Sequence, residues 1–270
     1  MKNLARKALK KNMNKLVAAN IKMNILTLAE RERYFASLKE EFRKRKVENV
    51  EIVLCPPFVH VESFKKNIKM KNFFVGVQNI FQEEKGPFTG EVSAPMAKSA
   101  GADYVILGHS DRRKYFHDTD EQINRKIILA LKSGLTPIVC IGENAGEKKS
   151  GKGEEAVFRQ LKGCFKNINS VQMEKIIVCY EPVWAISTNN PDHLPTSNEI
   201  MTAKLLMKKF IVDNFGAKLV EKVRIIYGGS VSSANVEESC VDSAMDGALV
   251  GKESLAPFQF AKIAEAIGKN

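Results

Sequence analysis

The chain has 270 residues, 44% hydrophobic and 27% charged, a balance that excludes a disordered or fibrous protein and suits one with a sizeable core. No apolar run reaches the roughly 20 residues of a membrane-spanning helix, so a spanning segment is excluded too. The formal net charge is +11, but five of the cations, Lys2, Arg6, Lys7, Lys10 and Lys11, crowd into the first twelve residues.

In chain order, residues 1–12 read as a basic, mobile, helix-prone tail. They lack the long apolar core of a secretory signal and the serines of an organellar presequence. Short β-rich apolar runs then recur: "LVAA" (16–19), "VEIVLC" (50–55), "NFFVGVQ" (72–78) and "DYVILG" (103–108), followed by "TPIVCIG" (136–142), "KIIVCYE" (175–181), "VRIIYGG" (223–229) and "DGALVG" (246–251). Between them lie amphipathic stretches such as "DEQINRKIILALKSG" (120–134), with helical spacing and a glycine stop. The mixed-charge run "EEFRKRKVENVE" (40–51) reads as a solvated helix end.

Eight strands that are apolar throughout, alternating with helices, predict a parallel sheet covered on both faces. Their number and the length of residues 13–270 favour a single-domain α/β eightfold barrel, (β/α)8, over an open doubly wound sheet. No GxGxxG or P-loop pattern follows the first strand, which argues against a bound nucleotide. The five cysteines, Cys55, Cys140, Cys164, Cys179 and Cys240, are widely spaced without metal-ligand spacing, and they predict buried thiols in a reducing cytoplasm. No aromatic-rich basic segment of the RNA-binding kind occurs, so the expected ligand is a small anion, with neither nucleic acid nor membrane as a partner.

In such a barrel, polar residues just past the C-terminal strand ends converge on one face. Here those ends present Asn20 and Lys22, then His109, then Glu181, and finally the glycine-rich turns "YGGS" and "VGKES". Each alone has an ordinary reading as a solvated or turn residue. Together they offer a base, an imidazole, a cation, an amide and two anion-binding turns.

The segments "ANIKMN", "PFTGEVSAPM", "LGHSDRR", "CIGE", "YEPVWAI", "IIYGGSV" and "DGALVGKESL" resemble, in order, those of the triosephosphate isomerases. That family is itself a standard illustration of tuned acid–base pairs, so the roles that follow come from the resemblance and not from the spacing. It implies that Glu181 is the base and a neutral His109 the electrophile. Lys22 and Asn20 would stabilise an enediolate formed from dihydroxyacetone phosphate or glyceraldehyde 3-phosphate, a step of glycolysis and gluconeogenesis. No cofactor or metal is implied. Asp111 would support the site from behind, and backbone N–H groups near Ser187, Ser230, Gly251 and Lys252 would grip the phosphate. Segment 182–190 resembles a closing lid, and Gln78–Glu91 resembles a loop that builds a homodimer, with Thr89 near the partner's site.

The chain departs from the family pattern where Ile21 replaces a tryptophan and Asp111 a glutamate. Ser187 and Asn189 stand in the places of glycines, Pro191 and Asp192 alter the far hinge, and Lys252 replaces a second glycine. These changes bear on lid motion and phosphate affinity. Two other readings stay open from sequence: another sugar-phosphate isomerase barrel, and a non-enzymatic copy kept for binding.

Overall fold

The structure is a computed structural model that describes residues 15–186 and 191–269; the tail expected at residues 1–12 lies outside the described residues. Eight parallel strands pair in sequence order and close on themselves. They are β1 (Lys15–Asn20), β2 (Val50–Cys55), β3 (Phe73–Val77) and β4 (Tyr104–Leu107), then β5 (Thr136–Ile141), β6 (Ile177–Tyr180), β7 (Ile225–Tyr227) and β8 (Gly247–Val250). Closure comes from β1 against β8, with Leu16 opposite Gly247 and Ala19 opposite Val250. Every predicted strand is present, trimmed by a residue or two where turn residues had been included.

Alternation explains why the strands are apolar throughout. Leu16 and Ala18 of β1 point into the barrel with Val53, Ile106, Ile138, Ile177 and Leu249. Val17 and Ala19 point outward, into the layer shared with the helices. Both faces are thus buried, and a polar residue on either would be costly. All five cysteines are buried and unpaired, three of them (Cys55, Cys140, Cys179) inside the barrel, where burial pushes the Cys55 thiol pKa far up. They fill volume as small hydrophobes.

The helices begin where their sequences provide caps. Thr27 with Glu30, Thr119 with Gln122 and Thr196 with Glu199 form reciprocal capping boxes at helices Leu28–Lys44, Asp120–Lys132 and Ser197–Phe215. Asp120–Lys132 turns Ile123, Ile127 and Ala130 inward, at the spacing the sequence predicted, and Gly134 stops it at φ 73°. One expectation is corrected. The run 40–51 is solvated as far as the helix end, but its last two residues, Val50 and Glu51, belong to β2 as the strand reading 50–55 expected, and Glu51 is 1% exposed. It accepts hydrogen bonds from Tyr104 Oη at 2.6 Å and Arg224 Nη1 at 2.7 Å, which make its burial tolerable. No helix among the described residues is long and apolar enough to cross a membrane.

Candidate active site

β1 runs out at Asn20, and the chain then turns through Lys22 at φ 53°, a left-handed conformation disfavoured for a side-chain-bearing residue. Three contacts hold it. Lys22 N–H donates to Asn20 Oδ1 at 3.2 Å, Gln78 Nε2 donates to Lys22 O at 2.8 Å, and Lys22 Nζ pairs with Asp111 Oδ2 at 2.9 Å. The first bond occupies the Asn20 carbonyl and leaves its Nδ2 to donate toward the cavity. Asp111, one methylene shorter than the family's glutamate, still reaches the lysine.

Past β4, His109 caps the short helix Ser110–Tyr115, its Nδ1 accepting from Asp111 N–H at 3.1 Å. That bond puts the ring proton on Nε2, which lies 3.1 Å from Glu181 Oε1. Asp111 Oδ2 is farther from Nδ1, at 3.6 Å, and its ion pair is with Lys22. Arg113 braces this turn from behind, donating to Gly108 O at 2.8 Å and pairing with Asp120 at 2.6 Å.

Glu181 follows β6 and is 2% exposed. An isolated buried carboxylate would be prohibitively costly. Here it accepts from Ser110 N–H and Ser110 Oγ, both at 2.9 Å, as well as facing His109 Nε2. Its own N–H donates to Ile141 O at 2.8 Å. Beside it, a Cβ on Gly142 would come within 2.0 Å of Glu181 O, so only glycine lets β5 approach so closely. In this conformation the Glu181 carboxylate is tied to Ser110 through both of its oxygens.

Sequence reasoning gave no role to Glu143, at the end of β5. It is 4% exposed and accepts from Tyr180 Oη at 3.0 Å and Trp184 Nε1 at 2.7 Å, while its carbonyl accepts from Val183 N–H at 2.9 Å. Burial, then the Glu143 charge, pushes the Tyr180 hydroxyl pKa well up, so it stays a donor. These bonds pin segment 182–186 to the barrel, and Ser230 Oγ adds another by donating to Ala185 O at 2.8 Å. The continuation through Ser187, Asn189 and residue 190 lies outside the described residues.

Asn20, Lys22, His109, Glu181, Ser230, Gly251 and Lys252 all line one cavity of about 540 Å³. Residue 252 has no left-handed φ, so lysine replaces the family's glycine there without backbone strain. Thr89 is exposed in the loop after β3 and does not line the cavity. Ser110, Gln78 and Glu143 are the supporting residues that sequence reasoning passed over. Ser110 follows the histidine directly, and that adjacency was the available signal.

Comparison with known proteins agrees with the motifs. A model of the triosephosphate isomerase family matches residues 15–267. The triosephosphate isomerase of Thermoanaerobacter pseudethanolicus is 39% identical over 248 residues, covering 92% of this chain and 97% of that protein. That of Dictyoglomus turgidum is 41% identical over 246 residues, 91% and 96% of the two chains. That of Caldanaerobacter subterraneus subsp. tengcongensis is 42% identical over 213 residues, 79% and 85%. With a closed eightfold barrel, one cavity uniting the motif residues and relatives matched nearly end to end, the chain belongs to the triosephosphate isomerase family.

Proposed function

We propose that this chain interconverts dihydroxyacetone phosphate and D-glyceraldehyde 3-phosphate, the isomerisation used in glycolysis and gluconeogenesis, through the residues of the 540 Å³ cavity. The observation that carries the residue roles is the pairing of a buried carboxylate, Glu181, with an Nε2-protonated imidazole, His109, 3.1 Å apart. Glu181 releases Ser110 and takes a proton from C1 of the ketose. The C–H electron pair becomes the C1–C2 double bond, and the carbonyl pair moves onto O2. Oxygen O2 meets His109 Nε2–H, the Lys22 ammonium and the Asn20 amide, which stabilise charge that develops only in the transition state. His109 gives its proton to O2 and recovers one from O1. Glu181 returns its proton to C2, leaving the aldehyde at C1. Backbone N–H groups near Ser187, Ser230, Gly251 and Lys252 hold the phosphate, and Asp111 keeps Lys22 in place. The purified chain should turn over both trioses, and ketose deuterated at C1 should yield product with part of that deuterium at C2 and part lost to solvent, according to how far the Glu181 carboxyl proton exchanges before its return. Wild-type turnover retained by Glu181→Gln would exclude the proton-transfer roles.

The partner we propose is a second copy of the chain. Met23 (87% exposed), Val59 (83%), Phe88, Met96, Tyr115 and Phe116 stand exposed on the loops and helices that follow β1 to β4. Large apolar side chains gathered on successive loops are a surface that seeks cover. Thr89 and Phe88 protrude from the loop Gln78–Glu91, and a twofold arrangement would set each loop against the partner's Asn20–Lys22 turn. Sedimentation of the wild type against Thr89→Arg tests this: a wild type that stays monomeric at micromolar concentration would refute it. The buried, unpaired thiols fit a reducing compartment, and we place the protein in the cytoplasm.

A further inference from the structure

We infer that the Lys252 side chain is a charged, specificity-determining contact for the substrate's phosphate, added to a subsite otherwise built from backbone N–H groups. This rests on the triose-phosphate reading of the same cavity. Lys252 lines that cavity beside Gly251 and Ser230, at the strand end assigned to the phosphate. Its side chain is solvent-exposed, and no ion pair with a described carboxylate engages its ammonium. The other lysine of the cavity, Lys22, is already committed to Asp111 at 2.9 Å. Glu253, also in the lining and next to Lys252 in sequence, is a carboxylate that would oppose an anion there. Lys252 offsets it, so the subsite does not repel a dianion.

The lysine sits where its backbone is unstrained, and Ser254 Oγ fixes the turn by donating to Gly251 O at 2.7 Å. The turn therefore stays formed while the long side chain can swing onto the phosphate. A backbone N–H cradle is neutral, and its affinity depends little on salt. An ammonium on a phosphate oxygen behaves differently, because Coulomb attraction near the surface is screened over about 8–10 Å at ordinary ionic strength. The cavity is thus expected to favour the doubly charged phosphate monoester over a singly charged one, and to do so most at low salt.

The test uses glycerol 3-phosphate, a triose-sized monoester with no carbonyl to react, titrated calorimetrically into the wild type, Lys252→Gln and Lys252→Arg at 20 and 200 mM NaCl. For Lys252→Gln the dissociation constant is expected to rise roughly fivefold at the lower salt, with a shallower salt dependence, while Lys252→Arg keeps both properties of the wild type. In the isomerase assay the glutamine variant should raise KM by more than it lowers kcat. Equal affinity and equal salt dependence in wild type and Lys252→Gln would overturn the inference and leave the backbone cradle alone. If no isomerase turnover were found, binding of glycerol 3-phosphate that still depends on Lys252 would uphold this inference while the catalytic reading failed.

Discussion

Gln78 is the most informative residue to remove, because it lies outside the cavity lining yet holds Lys22, which we propose stabilises the developing oxyanion. Its Nε2 donates to Lys22 O at 2.8 Å and to Cys55 O at 3.0 Å, tying the turn after β1 to the end of β2. Two neutral hydrogen bonds contribute about 1–3 kcal/mol together. Lys22 stands at φ 53°, where a residue with a Cβ is disfavoured by about 1–2 kcal/mol. The two quantities are alike in size, so Gln78→Ala takes away roughly the margin that holds Lys22 in its left-handed turn. The bond to Asn20 and the ion pair with Asp111 remain, and other conformers should compete with the working one without replacing it. We expect kcat/KM to fall by about tenfold to a hundredfold, equivalent to about 1.4–2.7 kcal/mol. The melting temperature should drop by several degrees, leaving the protein folded at 25 °C. The assay is steady-state kinetics at 25 °C beside circular-dichroism melting, with sedimentation to show that the oligomeric state is unchanged. A variant that melts earlier but keeps wild-type kcat/KM would refute the argument, since Lys22 would then hold its position without Gln78.

Glu181→Gln should lower kcat by about 10²–10⁴ with little change in the binding of glycerol 3-phosphate, and a loss confined to that binding would remove Glu181 from the role of base. Trp184→Phe deletes the 2.7 Å bond to the buried Glu143 carboxylate, a charge-assisted contact worth about 1.5–3 kcal/mol, so kcat and KM should shift together; unchanged constants would show that this pin does not govern segment 182–186. Burial would raise the Asp118 carboxyl pKa, but hydrogen bonds from Arg112 and Lys126 outweigh it and hold the pKa below the usual carboxylate value. A carboxyl depressed on folding contributes stability above its unfolded pKa of about 3.9 and loses it as pH falls through the folded value. Asp118→Asn should therefore be less stable than the wild type at pH 7, and the gap measured by denaturant titration should narrow below about pH 4. A gap independent of pH would show that the carboxylate's charge contributes nothing.

The barrel was legible because both faces of each strand are buried, which leaves continuous apolar runs such as 52–55 and 137–141 that no solvent-facing sheet would carry. Strand ends were read one or two residues long because Gly108, Gly142 and Gly251 continue the apolar runs but belong to turns. At Glu51 two readings overlapped, a strand residue and a solvated helix end, and only the first holds. The residues just before β2, among them Lys46, Glu48 and Asn49, are charged or polar and exposed, whereas the partners of Glu51, Tyr104 and Arg224, lie 53 and 173 residues away. The groups at the strand ends were visible from position alone, but what holds them was not. Glu143 and Gln78 act through contacts 41 and 56 residues distant, and although Glu143 closes the motif "CIGE" and Gln78 the run "NFFVGVQ", neither stretch names the partner its residue holds.

Closing the barrel joins its first and last strands: Leu16 to Ala19 pair with Gly247 to Val250. During synthesis β1 emerges before β8, so one of its edges has no neighbour until β8 has been made. A nascent chain therefore carries two open, apolar edges, each able to pair with another chain. The turn bearing Lys22 follows β1 and the one bearing Lys252 follows β8, so the cavity is complete only when that last pairing forms. Catalytic competence and protection from aggregation thus arrive in one late event. A ribosome-stalled chain ending before Gly247 should be both inactive and in need of a chaperone.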